Sequence, residues 1–212
     1  MDREIYQGLL LQNRYQVVKK LGKGGLAQTW EMDDRGTKKV LKVLFENDDK
    51  VVELFQREAT VLSKLDCPGI PTVELDAYFT FPSQGSGEPL HCLMMEFIEG
   101  QNLREWLIER NNQPINQEQA IRWLQQLVEI LKEVHAQHYF HRDIKPSNIM
   151  LKPDGQLVLI DFGAVREVTP TFLHKKQQNW SGTKIGTVGY TPPEQHRGLA
   201  VPQSDFFSLG RT

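Results

Sequence analysis

The stretch YFHRDIKPSNIML, residues 139–151, places a dense group of polar side chains between two apolar ends. The polar residues that fall within eight positions are His141, Arg142, Asp143, Lys145 and Asn148. Charged side chains are rarely buried unless they are paired, so such a group is either exposed to solvent or has a function. One interpretation is a solvated loop between two elements. The other is a catalytic loop, in which the apolar residues on either side hold the polar groups in place.

Four other features could belong to the same site. The stretch GKGG at residues 22–25 is a weak signal, because glycine pairs also mark ordinary hairpins. Lys42 is weak too, since a lysine on a strand is usually solvated. Glu58 interrupts the apolar stripe of a predicted helix and therefore needs a cation as a partner. The tract DFG begins at Asp161, thirteen residues after Asn148. Any one of these features could occur by chance, whereas chance is a poor explanation for the whole set in this order.

Periodic patterns predict the elements that position these residues. Strands are predicted at residues 15–21, 29–32, 38–44, near 72–80 and at 90–97. A helix is predicted over residues 49–65, where one amphipathic stripe consists of Val51, Phe55, Glu58, Leu62 and Leu65. A strand-rich first half followed by a helix-rich second half predicts an α+β protein with two lobes.

The second half is read mainly from helix starts and turns. Asn102 with Glu105 predicts a capping box before a short helix, and Asn116 predicts the start of a longer one over residues 116–138. The tract KPDGQ predicts the turn of a hairpin that leads into DFG. Residues 164–185 are polar and aperiodic, which predicts a long loop.

Composition narrows the class of protein. A chain of 212 residues can bury a real core, and a net charge of −2 argues against a nucleic-acid-binding face. Cys67 and Cys92 form no disulfide framework, which favours a reducing cytosol. The chain lacks a signal-peptide pattern and a run of about 18 apolar residues. We therefore expect a cytoplasmic protein with no membrane segment within these residues and no nucleic-acid partner; a membrane tether elsewhere stays compatible with this.

The motifs together resemble those of the eukaryotic-type (Hanks-type) serine/threonine protein kinases, in their bacterial branch. They are GKGGLA, VLK, REATVL, HRDIKPSN, DFG and GTVGYTPPE, and the resemblance runs from about residue 15 to Thr212. It implies a two-lobed α+β fold. The small lobe, residues 1–98, would contain a five-stranded antiparallel sheet and one helix, with a hinge at about 96–100. The large lobe, residues 99–212, would be helical and would lack its C-terminal part.

The resemblance implies transfer of the γ-phosphoryl group of ATP to Ser/Thr hydroxyls of protein substrates. Asp143 would accept the proton of the substrate hydroxyl, and Lys145 would stabilise the transferring phosphate. Lys42, fixed by an ion pair with Glu58, would hold the α- and β-phosphates. The metal ligands, which offer hard oxygen atoms to Mg²⁺ (or Mn²⁺), would be Asn148 and Asp161.

The same resemblance implies a set of nucleotide contacts. Val40 and Met150 would sandwich the adenine between the lobes, with Met95 at the back of the pocket. The full set is Leu21, Gly22, Lys23, Gly24, Gly25, Ala27, Thr29, Val40, Lys42, Met95, Glu96, Ile98, Asn102, Met150 and Asp161. Two members depart from the usual pattern, because Ala27 replaces a glycine and Thr29 replaces a valine. We expect a less flexible loop and a hydroxyl beside the adenine, and neither change removes a catalytic group.

The resemblance also implies how the protein is regulated. Arg142 beside Asp143 is typical of kinases whose activation loop is ordered by phosphorylation, since arginine pairs well with phosphate. We expect autophosphorylation at Thr183, or otherwise at Ser181. Thr187 is expected to form hydrogen bonds near Asp143 instead of accepting phosphate.

Two rival classes and one reservation accompany this hypothesis. A pseudokinase usually lacks one of the four catalytic positions that are all present here, and a small-molecule phosphotransferase of related fold lacks DFG and the PPE tract.

The tract SDFFSLG resembles the start of the central helix of the large lobe, with Asp205 expected to bind the backbone around His141 and Arg142. Glu194 would lack its usual arginine. We therefore expect these 212 residues alone to be aggregation-prone, with little or no kinase activity.

Overall fold

The computed structural model of the chain describes residues 5–82, 87–168 and 186–212. The chain divides into two compact units. The first comprises Met1–Lys64 and Pro71–Phe97, and the second comprises Leu65–Ile70 and Ile98–Thr212. The segment Leu65–Ile70 lies early in the chain but belongs with the second unit.

The first unit is built on a six-stranded antiparallel sheet in the order β1-β2-β3-β4-β6-β5. Its strands are β1 (Leu10–Leu11), β2 (Tyr15–Lys23), β3 (Ala27–Asp34), β4 (Thr37–Leu44), β5 (Tyr78–Phe81) and β6 (Leu90–Glu96). The five expected strands are present, and β1 adds a sixth by pairing with Tyr15 and Gln16. β5 starts later than predicted because the N–H of Ala77 donates to the carbonyl of Glu74, which forms a turn where a strand was expected.

The helix α1 (Asp49–Lys64) buries the predicted stripe. Its buried residues are Phe55, Glu58, Ala59, Val61 and Leu62. Phe55 meets the ring of Tyr78 edge-on, with ring centroids 6.4 Å apart. Gln56 Nε2 donates to the Tyr78 hydroxyl over 3.0 Å, and that hydroxyl also shares a hydrogen bond with His91 Nδ1. These contacts fasten α1 to β5 and, through the hydroxyl, to β6.

An apolar core covers one face of the sheet. Its buried residues are Ile5, Leu11, Tyr15, Val17, Trp30, Met32, Leu41, Val43, Cys92 and Met94. Successive side chains of a strand point to opposite faces, so Leu41 and Val43 enter this core while Lys42 lies on the other face. Ile5 and Leu11 are 6% and 0% exposed, so residues ahead of β2 form part of the core.

The second unit combines four helices with short strands in its described residues. The helices are α2 (Leu103–Glu109), α3 (Gln117–Ala136), α4 (Pro193–His196) and α5 (Gln203–Arg211). The strands are β7 (Gln101–Asn102), β8 (Tyr139–Phe140), β9 (Ile149–Leu151), β10 (Leu157–Leu159) and β11 (Arg166–Glu167). They form two antiparallel sheets, β10-β9-β7 and β11-β8. Gly100 has a φ of +125°, and a Cβ there would collide with the carbonyl oxygen of Leu151, so only glycine fits.

Both predicted helix starts are confirmed. Asn102 Oδ1 accepts the N–H of Glu105, and the Glu105 carboxylate accepts the N–H of Asn102, which closes the capping box. Asn116 Oδ1 accepts an N–H from the first turn of α3. The apolar stripe of α3 is buried only in its second half, because Ile121 and Leu124 are 46% and 48% exposed. Within the described ranges, no helix is both long and apolar enough to span a membrane.

Candidate active site

The Asp143 carboxylate is the centre of a compact hydrogen-bonded group in the second unit. Lys145 Nζ donates to its Oδ2 over 2.7 Å, and Asn148 Nδ2 donates to the same oxygen over 3.1 Å. Thr187 Oγ1 donates to Oδ1 over 2.7 Å and accepts from Lys145 Nζ over 2.9 Å. The predicted position of Thr187, beside Asp143 and Lys145, is confirmed.

This arrangement leaves the carboxylate with spare capacity. An ionised carboxylate offers about four acceptor positions. The described residues occupy three of them, through Lys145, Asn148 and Thr187. The Asp143 side chain is 15% exposed, so a fourth donor can reach it from solvent. A hydroxyl group that approached Asp143 would therefore find one acceptor position beside an ammonium group.

The backbone ahead of Asp143 is held by a buried carboxylate on α5. Asp205 Oδ2 accepts the N–H of His141, and Asp205 Oδ1 accepts the N–H of Arg142, both over 2.8 Å. These bonds confirm the predicted role of Asp205, which is 0% exposed. His135 on α3 adds a third bond through Nε2, over 2.8 Å. Arg142 itself has a φ of +73°, which is uncommon for a residue other than glycine and persists only when the surroundings hold it.

His141 ties the loop to the DFG segment. The carbonyl oxygen of Ile160 can only accept, so His141 Nε2, 3.1 Å away, carries a proton. The other ring nitrogen, Nδ1, accepts the N–H of Asp143. The imidazole packs edge-on against the ring of Phe162 with centroids 4.8 Å apart, and both residues are 0% exposed. His141 and Phe162 therefore pack against each other and fix the loop to the DFG segment.

The hairpin β9–β10 brings Asn148 and Asp161 to the same end. Its register pairs Ile149 with Leu159, so the residues just outside it, Asn148 and Ile160, also lie opposite each other. The N–H of Ile160 donates to the carbonyl of Asn148 over 2.8 Å. Asp161 follows directly, is exposed, and adopts a left-handed conformation with φ of 64° and ψ of 74°. The Asn148 amide nitrogen faces Asp143, which leaves the amide oxygen as a hard donor atom.

In the first unit, the predicted ion pair between Lys42 and Glu58 is present. Lys42 Nζ donates to both carboxylate oxygens of Glu58, over 2.7 and 2.8 Å. The side chains are 15% and 2% exposed, so the pair is largely removed from water. Removing one partner of a buried pair leaves an uncompensated charge, which is strongly destabilising. The cation that Glu58 required is therefore Lys42.

The glycine-rich stretch forms the turn between β2 and β3. The N–H of Gly24 donates to the carbonyl of Ala27 over 2.8 Å, and Gly22 pairs with Thr29. Gly24 and Gly25 do not lie in the left-handed region that favours glycine. A Cβ at Gly25 would meet nothing within 4 Å, and one at Gly24 would make only ordinary contact. Neither backbone conformation nor crowding among the described residues explains these two glycines.

The other residues implied as nucleotide contacts fall in neighbouring pairs within each unit. Thr29 lies opposite Lys42, and Val40 lies opposite Met95, in the sheet of the first unit. The side chain of Glu96 there accepts hydrogen bonds from Thr72. Leu21 and Lys23 lie on β2, on either side of Gly22.

In the second unit, Asn102 pairs with Met150 across β7 and β9, and the Asn102 Oδ1 atom accepts the hydrogen bond that caps α2. Ile98 is the first residue of the segment that returns to the second unit.

Two further expectations concerned the phosphorylation sites and Glu194. Thr183 and Ser181, the expected phosphorylation sites, lie outside the described residues. Glu194 accepts a hydrogen bond from Ser204 Oγ over 2.6 Å. Two contacts around the catalytic loop were not predicted, those of His135 with Asp205 and of Gln195 with the carbonyl of Arg142. His135 lies one helical turn after the buried Leu131 on α3, and this spacing is the signal available for it.

The first unit thus carries a lysine–glutamate pair and a glycine-rich turn, and the second unit carries an aspartate held by lysine, asparagine and threonine. Residues 15–212 match the family model described as the protein kinase domain. The chain belongs to the protein kinase domain family.

Several relatives of the chain are bacterial serine/threonine-protein kinases. Serine/threonine-protein kinase PknA of Nostoc sp. is 39% identical, over 96% of this chain and 36% of its own length. Serine/threonine-protein kinase F of Synechocystis sp. is 36% identical, over 96% of this chain and 43% of its own. Serine/threonine-protein kinase PrkC of Bacillus subtilis is 30% identical, over 96% of this chain and 30% of its own. The chain thus spans less than half of the length of each of these curated relatives.

Proposed function

We propose that this protein is a serine/threonine protein kinase, which transfers the γ-phosphoryl group of ATP to hydroxyl groups of protein substrates. The observation that carries the proposal is the Asp143 carboxylate, which is held by Lys145, Asn148 and Thr187 and has one acceptor position that no described residue occupies. A substrate hydroxyl that donated to this position would have its oxygen oriented for in-line attack. Membership of the family and the names of the relatives support the same reaction.

Each charged residue has a role in this proposal. Asp143 would accept the hydroxyl proton, and Lys145 Nζ, 2.7 Å from that carboxylate, would offset the negative charge that develops on the transferring group. Lys42 would bind the α- and β-phosphates while Glu58 holds its ammonium group in one orientation. These groups are fixed before substrate arrives, so little reorganisation is needed when charge moves.

The donor set of the second unit fits Mg²⁺. The oxygen atoms of Asn148 and Asp161 would hold the ion, because hard oxygen donors are the ligands that Mg²⁺ prefers. The N–H of Ile160, the residue before Asp161, donates to the carbonyl of Asn148. This bond keeps Asn148 and Asp161 together at the end of the hairpin. When bound, the ion neutralises phosphate charge; Mn²⁺, which prefers similar ligands, is an alternative.

The nucleotide contacts follow from the same proposal. In the first unit, the N–H groups near Gly24 and Gly25 would approach the phosphates, and Val40 and Met95 would contact the base. In the second unit, Met150 would contact the base, and the Asn102 Nδ2 group would be the atom left for the ribose, since Oδ1 caps α2.

Partners and location are part of the proposal. The substrates would be proteins with Ser or Thr, and the protein would phosphorylate itself at Thr183 or Ser181. We place the activity in the cytoplasm because Cys67 and Cys92 are both buried free thiols. Burial raises the pKa of both thiols, that of Cys92 to about 12, so neither is poised to form a disulfide. Thiols in this state suit a reducing compartment.

The test is a phosphotransfer assay on the full-length protein with labelled ATP, Mg²⁺ and a generic basic protein. Asp143→Asn should abolish transfer, because the amide cannot accept the hydroxyl proton. Lys42→Met should also abolish transfer while the fold is largely kept. Label in the wild type but in neither variant supports the proposal. No label in the wild type, with normal nucleotide binding, would indicate a pseudokinase, and a Lys42→Met protein with near-normal turnover would contradict the role of Lys42.

A further inference from the structure

We propose that Gln195 is a positioning residue for the catalytic loop, and that it acts on Asp143 through the peptide group that joins Arg142 to Asp143. The proposal rests on the proposed kinase function for its effect on turnover. Its structural part, which concerns the conformation of residues 141–143, can be tested without any activity.

The contact is short and completely buried. Gln195 Nε2 donates to the carbonyl oxygen of Arg142 over 2.6 Å. Gln195 is 0% exposed and Arg142 is 4% exposed, so water does not compete for this carbonyl. A buried carbonyl that loses its donor costs about the full desolvation penalty of the group.

The position of this carbonyl gives the contact its importance. The left-handed conformation of Arg142, with φ of +73°, is costly and needs support on both sides. Asp205 Oδ1 holds the N–H of Arg142 on one side, and Gln195 holds its carbonyl on the other. The same peptide plane carries the N–H of Asp143, which donates to His141 Nδ1 over 3.3 Å. Loss of the Gln195 bond would remove this support from the carbonyl of the plane and would loosen the orientation of the Asp143 side chain relative to Lys145.

Gln195 also connects the catalytic loop to the segment that carries Thr187. Gln195 lies on α4, and the N–H and hydroxyl groups of Thr191 both donate to the carbonyl of Thr187. The segment 187–195 thus contacts the catalytic loop at two points, at Asp143 through Thr187 and at Arg142 through Gln195. A displacement of this segment would therefore disturb the orientation of Asp143 from both ends.

Two substitutions separate the hydrogen bond from the packing. Gln195→Met keeps the length and volume of the side chain but has no donor. Gln195→Glu keeps the shape and becomes a donor only when its carboxyl is protonated. Burial raises the pKa of such a carboxyl above that of an exposed glutamate, so the variant keeps its donor to a higher pH than an exposed carboxyl would. Gln125, an exposed residue of α3, provides matched controls as Gln125→Met and Gln125→Glu.

The kinetic experiment compares kcat and the KM for ATP of these full-length variants over a range of pH. Gln195→Met should lower kcat about tenfold, with the KM for ATP within about twofold, because one buried hydrogen bond near the reacting group is lost. Gln195→Glu should show a low kcat relative to wild type at high pH and should recover as pH falls. The Gln125 variants should match wild type throughout. A pH-independent ratio for Gln195→Glu, or a wild-type kcat for Gln195→Met, would overturn the proposal.

Hydrogen–deuterium exchange provides the readout that does not depend on activity. The peptide that contains residues 141–143 should exchange faster in Gln195→Met than in wild type, and in Gln195→Glu the difference should decrease as pH falls. If the wild type transfers no phosphate but exchange is still faster in Gln195→Met, the inference is supported and the kinase function is contradicted. Equal exchange in an active protein would contradict the inference alone. If Gln195→Met fails to fold, the comparison of Gln195→Glu with wild type at each of two pH values still tests the inference.

Discussion

Replacing Asp205 by asparagine should separate the catalytic loop from α5. The carboxylate accepts three hydrogen bonds, from the N–H groups of His141 and Arg142 and from His135 Nε2. An asparagine has one oxygen, which can replace Oδ2 and serve His141 and His135. Its amide nitrogen would then face the N–H of Arg142, so that two donors meet in a fully buried place.

The size of the effect follows from these contacts. A buried N–H left without an acceptor costs about 1–3 kcal/mol, and hydrogen bonds to a charged group are worth about 1.5–3 kcal/mol against about 1 kcal/mol for neutral ones. Losing one bond and weakening two others gives about 3–5 kcal/mol. Domains are stable by only about 5–15 kcal/mol, so Asp205→Asn should lower the thermal midpoint of the full-length protein by roughly 10 °C.

The assay is thermal unfolding together with phosphotransfer, with Asp66→Asn as the matched control, since Asp66 is exposed. The control should unfold within about 1 °C of wild type, because exposed substitutions have small effects. At temperatures where the Asp205→Asn protein is still folded, kcat should fall more than the KM for ATP rises, because the Arg142 backbone loses its anchor. Coincident midpoints for Asp205→Asn and Asp66→Asn would show that the carboxylate does not hold the loop.

Three further predictions concern other contacts. The guanidinium of Arg14 donates to Asp34 and holds the pKa of that carboxyl below its usual value of 3.8, so the pair stabilises the protein above that value and loses its effect as pH falls through the lowered pKa. The stability difference between wild type and Asp34→Asn should therefore shrink between about pH 6 and about pH 3 in urea titrations. Tyr78→Phe removes the hydroxyl that joins α1 to His91 and should lower the unfolding free energy by about 1–2 kcal/mol. Thr187→Val removes the hydroxyl that contacts Asp143 and should lower kcat about tenfold, whereas Thr187→Ser should restore most of it.

Each of these predictions has a result that would contradict it. A stability difference at Asp34 that is constant with pH would mean that the ion pair does not contribute. A Tyr78→Phe protein as stable as wild type would show that packing alone holds α1. Equal turnover in Thr187→Val and Thr187→Ser would separate that hydroxyl from the chemistry.

Elements with a strong local pattern were predictable from the sequence. Residues 38–44 alternate between two faces and form most of β4, and the stripe around Glu58 forms α1. The charge of Glu58 on that stripe required a cation, and Lys42 provides it. β1 was missed because Leu10–Leu11 is too short for a period to be seen, and its stability comes from pairing and burial that involve residues further along the chain.

Contacts between distant residues were predicted only where the family resemblance included them. Thr187 and Asp205 were expected at the catalytic loop on that ground. Gln195 contacts a backbone carbonyl 53 residues away, and His135 contacts Asp205 across 70 residues. A single glutamine or histidine is compatible with many environments, so no local pattern distinguishes a buried positioning residue from an ordinary surface one.

The clamp on the catalytic loop also sets an order of events during synthesis of the protein. Asp205 lies 64 residues after His141 and 63 after Arg142, whose N–H groups it accepts. Chains are made from the N-terminus. Contacts between residues far apart in sequence contribute stability only after the long loop between the residues has closed. The loop that carries Asp143 therefore emerges from the ribosome well before its anchor exists. Until α5 has been translated and has docked, the N–H groups of His141 and Arg142 lack the carboxylate that accepts them in the folded chain, so the loop gains this support only after residues 203–211 have been made.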